Sequence, residues 1–72
     1  MDKATQGSAR KELGEKLKNA RKKAGLTQGE VAKAAEVNTN YYARIERGEE
    51  NPSYEKLQKV MKALGVKSLD MS

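Results

Sequence analysis

Two helix-start signals, at Thr27 and Asn38, constrain the fold of this chain more than any other feature. Thr27 can accept a hydrogen bond from the backbone amide of Glu30, and Glu30 stands where the reciprocal partner of a capping box should stand. Asn38 is a second residue of a type that caps helices, and Gly48 can supply the left-handed residue that often ends one. The stretch 27–48 therefore predicts two short helices joined by a tight turn.

Apolar residues at helical spacing support these two helices and add one on each side. Within the stretch the inward positions are Val31, Ala32, Ala35, Tyr42 and Ile45. The flanking stripes are Leu13, Leu17, Ala20 and Ala24 on a helix over 9–24, and Leu57, Val60, Met61 and Leu64 on a helix over 54–64. The sequence thus predicts an all-α fold, a small bundle of four to five helices, with residues 67–72 as the first turn of the fifth helix, anchored by Leu69.

The length and composition bound the possible functions. The chain has 72 residues, enough for one small domain; residues 1–8 lack periodicity and are predicted to be a disordered tail, and residues 9–72 to be the domain. Neither cysteine nor histidine is present, which excludes the usual zinc sites and nucleophile systems. We therefore expect no enzyme, no metal site and no cofactor. The sequence has no bilayer-spanning apolar run and no signal-peptide core, so a cytoplasmic protein without membrane contact is expected.

The charge balance is basic but does not decide the partner. Lys and Arg total 15 against 10 acids, a net charge of +5. Such a balance is compatible with binding a polyanion and also with ordinary solubility.

The stretch 27–48 and its flanks resemble the helix-turn-helix of phage repressor and Cro proteins, the xenobiotic-response-element family. The residues that carry the resemblance are Gly25-Leu26-Thr27-Gln28, Val31-Ala32, Tyr42, Arg44-Ile45-Glu46-Arg47-Gly48 and Asn51-Pro52-Ser53. The resemblance covers about residues 13–69 and implies a lambda-repressor-like DNA-binding domain. It also implies a sequence-specific transcriptional regulator, a repressor, that binds double-stranded DNA with its third helix in the major groove. A homodimer, at least on DNA, and a two-fold operator belong to the same expectation.

The third helix presents residue types suited to reading bases. Thr39, Asn40 and Arg44 share its outer face; asparagine can pair with adenine, arginine with guanine, and the threonine methyl group can touch thymine. The resemblance implies that Gln28 contacts a phosphate or a nearby base and that Arg47 contacts a phosphate. Asn51 and Lys56 are further phosphate candidates, because they lie around the loop that follows the third helix. The predicted DNA-binding residues are Gln28, Asn38, Thr39, Asn40, Tyr41, Arg44, Arg47, Asn51 and Lys56.

Two further expectations concern structure. The resemblance implies that Arg21 and Glu46 form an ion pair that braces the first helix against the end of the third. Glu36 departs from the family, which commonly has glycine at this turn position. If the turn keeps a left-handed backbone, glutamate carries a conformational cost there; a strained turn and a differently shaped turn both remain open.

An alternative function is a protein-interaction module, such as an antitoxin or a transcription-bridging coactivator, since such proteins resemble the same fold. Glu49 and Glu50 support this alternative, because two carboxylates near the DNA backbone would repel it. They also predict a smaller electrostatic contribution to DNA binding than the net charge suggests.

Overall fold

The computed structural model describes the backbone of residues 2–67 and the side chains of residues 9–67. This part of the chain contains four helices and no strand: α1 Asp2–Ala24, α2 Gln28–Ala35, α3 Thr39–Glu46 and α4 Tyr54–Leu64. The predicted all-α fold is confirmed. The expected fifth helix lies, from residue 68 onward and including Leu69, outside the described residues.

The start of the first helix differs from the prediction. Helix α1 begins at Asp2 rather than at Ala9, so residues 2–8 are helical instead of forming the predicted disordered tail. The segment contains no proline, and its lysine, alanine and glutamine are good helix formers. A helix that is already nucleated by packing further along can therefore extend backward through it.

The core lies where the four helices meet, with α2 packed on α4 and α1 packed on α3. Its buried side chains are Leu17, Val31, Ala32, Ala35, Tyr42, Ile45, Val60 and Leu64. Leu13, Ala20 and Leu57 are partly buried at its edge. Ala24 is exposed, contrary to the predicted stripe, because it is the last residue of α1 and lies beyond the part of that helix that packs in the core. None of the described helices combines the length and apolar character of a membrane-crossing segment.

Helix α1 crosses α3 at Gly14, where the two backbones nearly touch. A Cβ atom at this position would collide with the carbonyl oxygen of Glu46 and would lie 2.6 Å from that of Ile45. The hydrogen atom of glycine thus permits the close approach that seats α3 against α1.

Glu36 occupies the turn between α2 and α3 in the left-handed conformation, with φ 61° and ψ 40°. It is the only non-glycine residue with positive φ in the described part of the chain. Of the two alternatives left open by the sequence, the structure has the strained turn. The Glu36 side chain also makes an exposed ion pair, in which the Nζ atom of Lys59 lies 3.4 Å from Oε1 of Glu36.

Replacing Glu36 with glycine is expected to stabilise the fold by about 0.5–1 kcal/mol, because glycine adopts this backbone without a Cβ penalty. The greater freedom of glycine in the unfolded chain limits the gain. Urea unfolding measures the change, and Glu36→Ala is the matched control, because it also loses the contact with Lys59 but keeps the Cβ atom. Equal unfolding midpoints for the two variants would show that the turn stores no strain.

Candidate nucleic-acid interface

The structure brings Arg21 and Glu46 together as a bidentate ion pair between α1 and α3. The Nε atom of Arg21 donates to Oε2 of Glu46 at 2.7 Å, and Nη2 donates to Oε1 at 3.2 Å. Nη1 of the same guanidinium donates to the carbonyl oxygen of Leu26 at 2.9 Å. The two charged side chains are only 13% and 3% exposed, so the pair is shielded from water.

Gln28 joins this pair from the first turn of α2. Its Nε2 atom donates to Oε1 of Glu46 at 2.9 Å. One carboxylate therefore ties together three helices, and the amide nitrogen of Gln28, a predicted DNA contact, is engaged inside the protein. This hydrogen bond fixes the side chain at the N-terminal end of α2.

The surroundings of the Glu46 carboxyl act on its pKa in opposite directions. Burial raises its pKa, but the hydrogen bonds from Arg21 and Gln28 outweigh burial and hold the pKa below its ordinary value. Burial, followed by the neighbouring Glu46 carboxylate, raises the pKa of Tyr42, whose buried hydroxyl has no hydrogen-bond partner among the described residues.

The outer face of α3 is polar and accessible. Thr39, Asn40 and Arg44 are exposed, whereas Tyr42 and Ile45 on the opposite face are fully buried. The alternation follows the helical repeat and leaves the three predicted base readers on one solvent-facing surface.

Asn38 holds the start of α3. Its Oδ1 atom accepts hydrogen bonds from the backbone amides of Asn40 at 2.7 Å and Tyr41 at 3.3 Å. The side-chain oxygen is thus engaged in capping, and the amide nitrogen of Asn38, which is a donor, can still meet a phosphate oxygen. The cap aligns the first turn, which carries Thr39 and Asn40.

The other predicted phosphate contacts lie around the loop between α3 and α4. Arg47, Asn51 and Lys56 are all exposed. The Nζ atom of Lys56 lies 5.7 Å from the centroid of the half-buried Tyr41 ring, within cation–π range. This contact places the beginning of α4 beside the outer face of α3.

Sequence reasoning missed two ion pairs between α3 and this loop. Arg44 lies 3.1 Å from Glu50, and Arg47 lies 3.1 Å from Glu49, both through Nη2. The hydrogen bond from Arg47 lowers the pKa of the Glu49 carboxyl, so the pair is charged at neutral pH. The available signal was Gly48, because a glycine that ends a helix turns the chain back toward that helix.

Helices α2 and α3 are short, capped and joined by a tight turn, and α3 presents a polar outer face. This arrangement defines a helix-turn-helix domain. Comparison with family models agrees: residues 17–71 match the model described as helix-turn-helix. The chain belongs to this family.

Curated relatives are phage and bacterial regulators. The immunity repressor protein of Bacillus phage phi105 is 41% identical over 75% of this chain and 38% of its own length. The uncharacterized HTH-type transcriptional regulator YqaF of Bacillus subtilis is 45% identical over 68% of this chain and 64% of its own length. The chain thus spans less than two thirds of either relative.

Solved structures share the arrangement of helices. The restriction-modification controller protein C.AhdI from Aeromonas hydrophila superposes with a TM-score of 0.82 at 27% identity, covering 83% of this chain and 91% of its own. The clp gene regulator ClgR from C. glutamicum superposes with a TM-score of 0.79 at 38% identity, covering 81% and 74%.

Proposed function

We infer that this chain is a sequence-specific DNA-binding transcriptional regulator that inserts α3 into the major groove. The observation that carries this inference is the exposed set Thr39, Asn40 and Arg44, on the face of α3 opposite its buried residues. These side chains have the donors, acceptors and methyl group that read base edges.

The rigidity of α3 supports the same role. A cap at Asn38 fixes its first turn, the ion pair from Arg21 fixes its last turn, and the crossing at Gly14 seats it on α1. Thr39 and Arg44 are separated by about 7.5 Å along the helix axis, a distance of about two base-pair steps. A helix held this firmly keeps its readers in register with neighbouring bases.

The regulator acts as a repressor by occupying a promoter, and it binds as a homodimer to two half-sites about 34 Å apart. The similarity to the phage phi105 immunity repressor supports repression. Action in the cytoplasm, where DNA-bound regulators of phages and bacteria work, completes the proposal.

Arg44→Ala is expected to weaken binding to the preferred site by about 1–3 kcal/mol and to relax the preference at one base pair. The measurement is selection of sites from a randomised duplex library, followed by titration of the recovered site. Lys62→Ala is the control, because it removes an exposed cation from α4, on the far end from the capped start of that helix.

The proposal is supported if the wild type selects a two-fold site and Arg44→Ala selects the same site with a weaker preference at one base pair. An unchanged preference in Arg44→Ala would exclude this arginine as a base reader. Weak, salt-sensitive binding of the wild type to any duplex would leave only the electrostatic contribution, and sequence-specific regulation would be refuted.

A second candidate, a protein-interaction module, is favoured by the ion pairs of Arg44 and Arg47, which reduce the positive charge of the reading face. Capture of partners from cell extract before and after nuclease treatment separates the two functions. A partner that survives digestion supports the interaction module, and one that is lost supports DNA binding.

A further inference from the structure

The loop after α3 is held against the helix by its backbone. The amide of Gly48 donates to the carbonyl oxygen of Ile45 at 3.1 Å, and the amide of Glu49 donates to that of Arg44 at 2.9 Å. Gly48 has φ 78°, and a Cβ atom there would lie 2.8 Å from Cγ of Lys11. Held between α3 and α1 at Gly48, the loop keeps its two carboxylates within reach of Arg44 and Arg47.

The carboxylates of this loop neutralise the two arginines at the end of the reading helix. Arg44 and Arg47 are 49% and 56% exposed in their side chains, and each lies 3.1 Å from a loop carboxylate. Glu46 is already paired with Arg21. The reading surface therefore carries little net positive charge, although the whole chain has a net charge of +5.

We propose that Glu49 and Glu50 determine specificity by withholding Arg47 and Arg44 from the phosphates of non-cognate DNA. Exchanging a carboxylate for a phosphate replaces one exposed ion pair with another and gains little. A guanine offers Arg44 a bidentate contact with two acceptors, and this contact is favourable enough to offset the loss of the ion pair with Glu50. The Arg44 pair thus stays closed on random sequence and opens on the operator, where the guanine contact seats α3 and so holds Arg47 against the backbone contact predicted for it.

This inference rests on the proposed DNA-binding function and makes a separate prediction about salt. In the operator complex both arginines are already engaged, so removing the carboxylates adds no phosphate contact. On random DNA, removal releases two cations to bind phosphates. Each new contact steepens the dependence of log K on log salt by about 0.9.

The test compares the wild type with the double variant Glu49→Gln/Glu50→Gln. Fluorescence anisotropy follows binding to a duplex of random sequence and to the selected operator across a salt series. The variant is expected to bind the random duplex about three- to tenfold more tightly at low salt, with a slope steeper by about 1.8, while its slope on the operator stays unchanged. The ratio of operator to random affinity falls accordingly.

Glu36→Gln is the control for the loss of a single carboxylate: it opens one exposed ion pair where the double variant opens two, and its partner Lys59 is not among the predicted DNA-binding residues. This inference alone would be refuted if the double variant bound the random duplex no more tightly than the control does, and with no steeper salt dependence, while a preferred site was still recovered. A wild-type protein without any preferred site would refute the proposed function and this inference together.

Discussion

Gly14→Ala is expected to destabilise the fold by about 3 kcal/mol, even though alanine is the better helix former by about 1 kcal/mol. The added Cβ atom would meet carbonyl oxygens of Ile45 and Glu46, and backbone atoms cannot rotate aside as a side chain can. Helices α1 and α3 must therefore separate, which opens the core around Leu17 and Ile45. For a domain of this size, whose total stability is about 4–11 kcal/mol, such a loss is a large fraction.

Gly29→Ala provides the matched control for urea unfolding followed by circular dichroism. Gly29 is exposed in α2, and a Cβ atom there would meet only Oγ1 of Thr27, at 3.9 Å. We expect this variant to be neutral or more stable by up to about 1 kcal/mol. Similar unfolding midpoints for the two variants would show that the helices do not cross closely at Gly14.

The contrast between Gly14 and Gly29 shows which features of the fold can be predicted from local sequence patterns and which cannot. Thr27, Glu30 and Asn38 place the starts of α2 and α3 because capping hydrogen bonds join residues two or three positions apart. The role of Gly14 depends on a crossing with residues far along the chain. The local sequence around Gly14 therefore indicates only a residue of low helix propensity.

The candidate site likewise has features that local sequence patterns predict and features that they do not. The helical repeat alone places Thr39, Asn40 and Arg44 on the outer face of α3, where the structure has them. The partners of exposed charges depend on the path of the loop after Gly48, and this path is set by contacts with α1. The ion pairs with Glu49 and Glu50 were therefore not predictable from spacing, and the repulsion of DNA by these carboxylates stays a prediction.

Glu46→Ala is expected to cost about 3 kcal/mol of stability, because it leaves the Arg21 guanidinium poorly hydrated and without its ion-pair partner. The side chain of Gln28 loses its acceptor as well. Urea unfolding at neutral pH measures the loss. A cost below about 1 kcal/mol would show that the pair contributes no more than an exposed one.

The same carboxylate makes stability depend on pH. Its pKa is lower in the folded protein than in the unfolded chain, so protonation favours unfolding. The contribution is fully present above the unfolded pKa of about 4.3 and is lost as the pH falls through the folded pKa. Glu46→Gln cannot titrate at this position, so its stability should fall less than that of the wild type between about pH 5 and strong acid. The measurement is the free energy of unfolding of both proteins across this pH range.

A double variant, Arg21→Met/Glu46→Leu, distinguishes stability from positioning. Apolar side chains of similar volume often replace a buried ion pair at little cost, so the double variant should recover most of the stability that Glu46→Ala loses. Gln28 nevertheless remains without its acceptor, and α3 without its tie to α2. Recovered stability with weakened operator binding would assign the pair to holding the reading helix in place, whereas recovery of both would mean that packing alone positions α3.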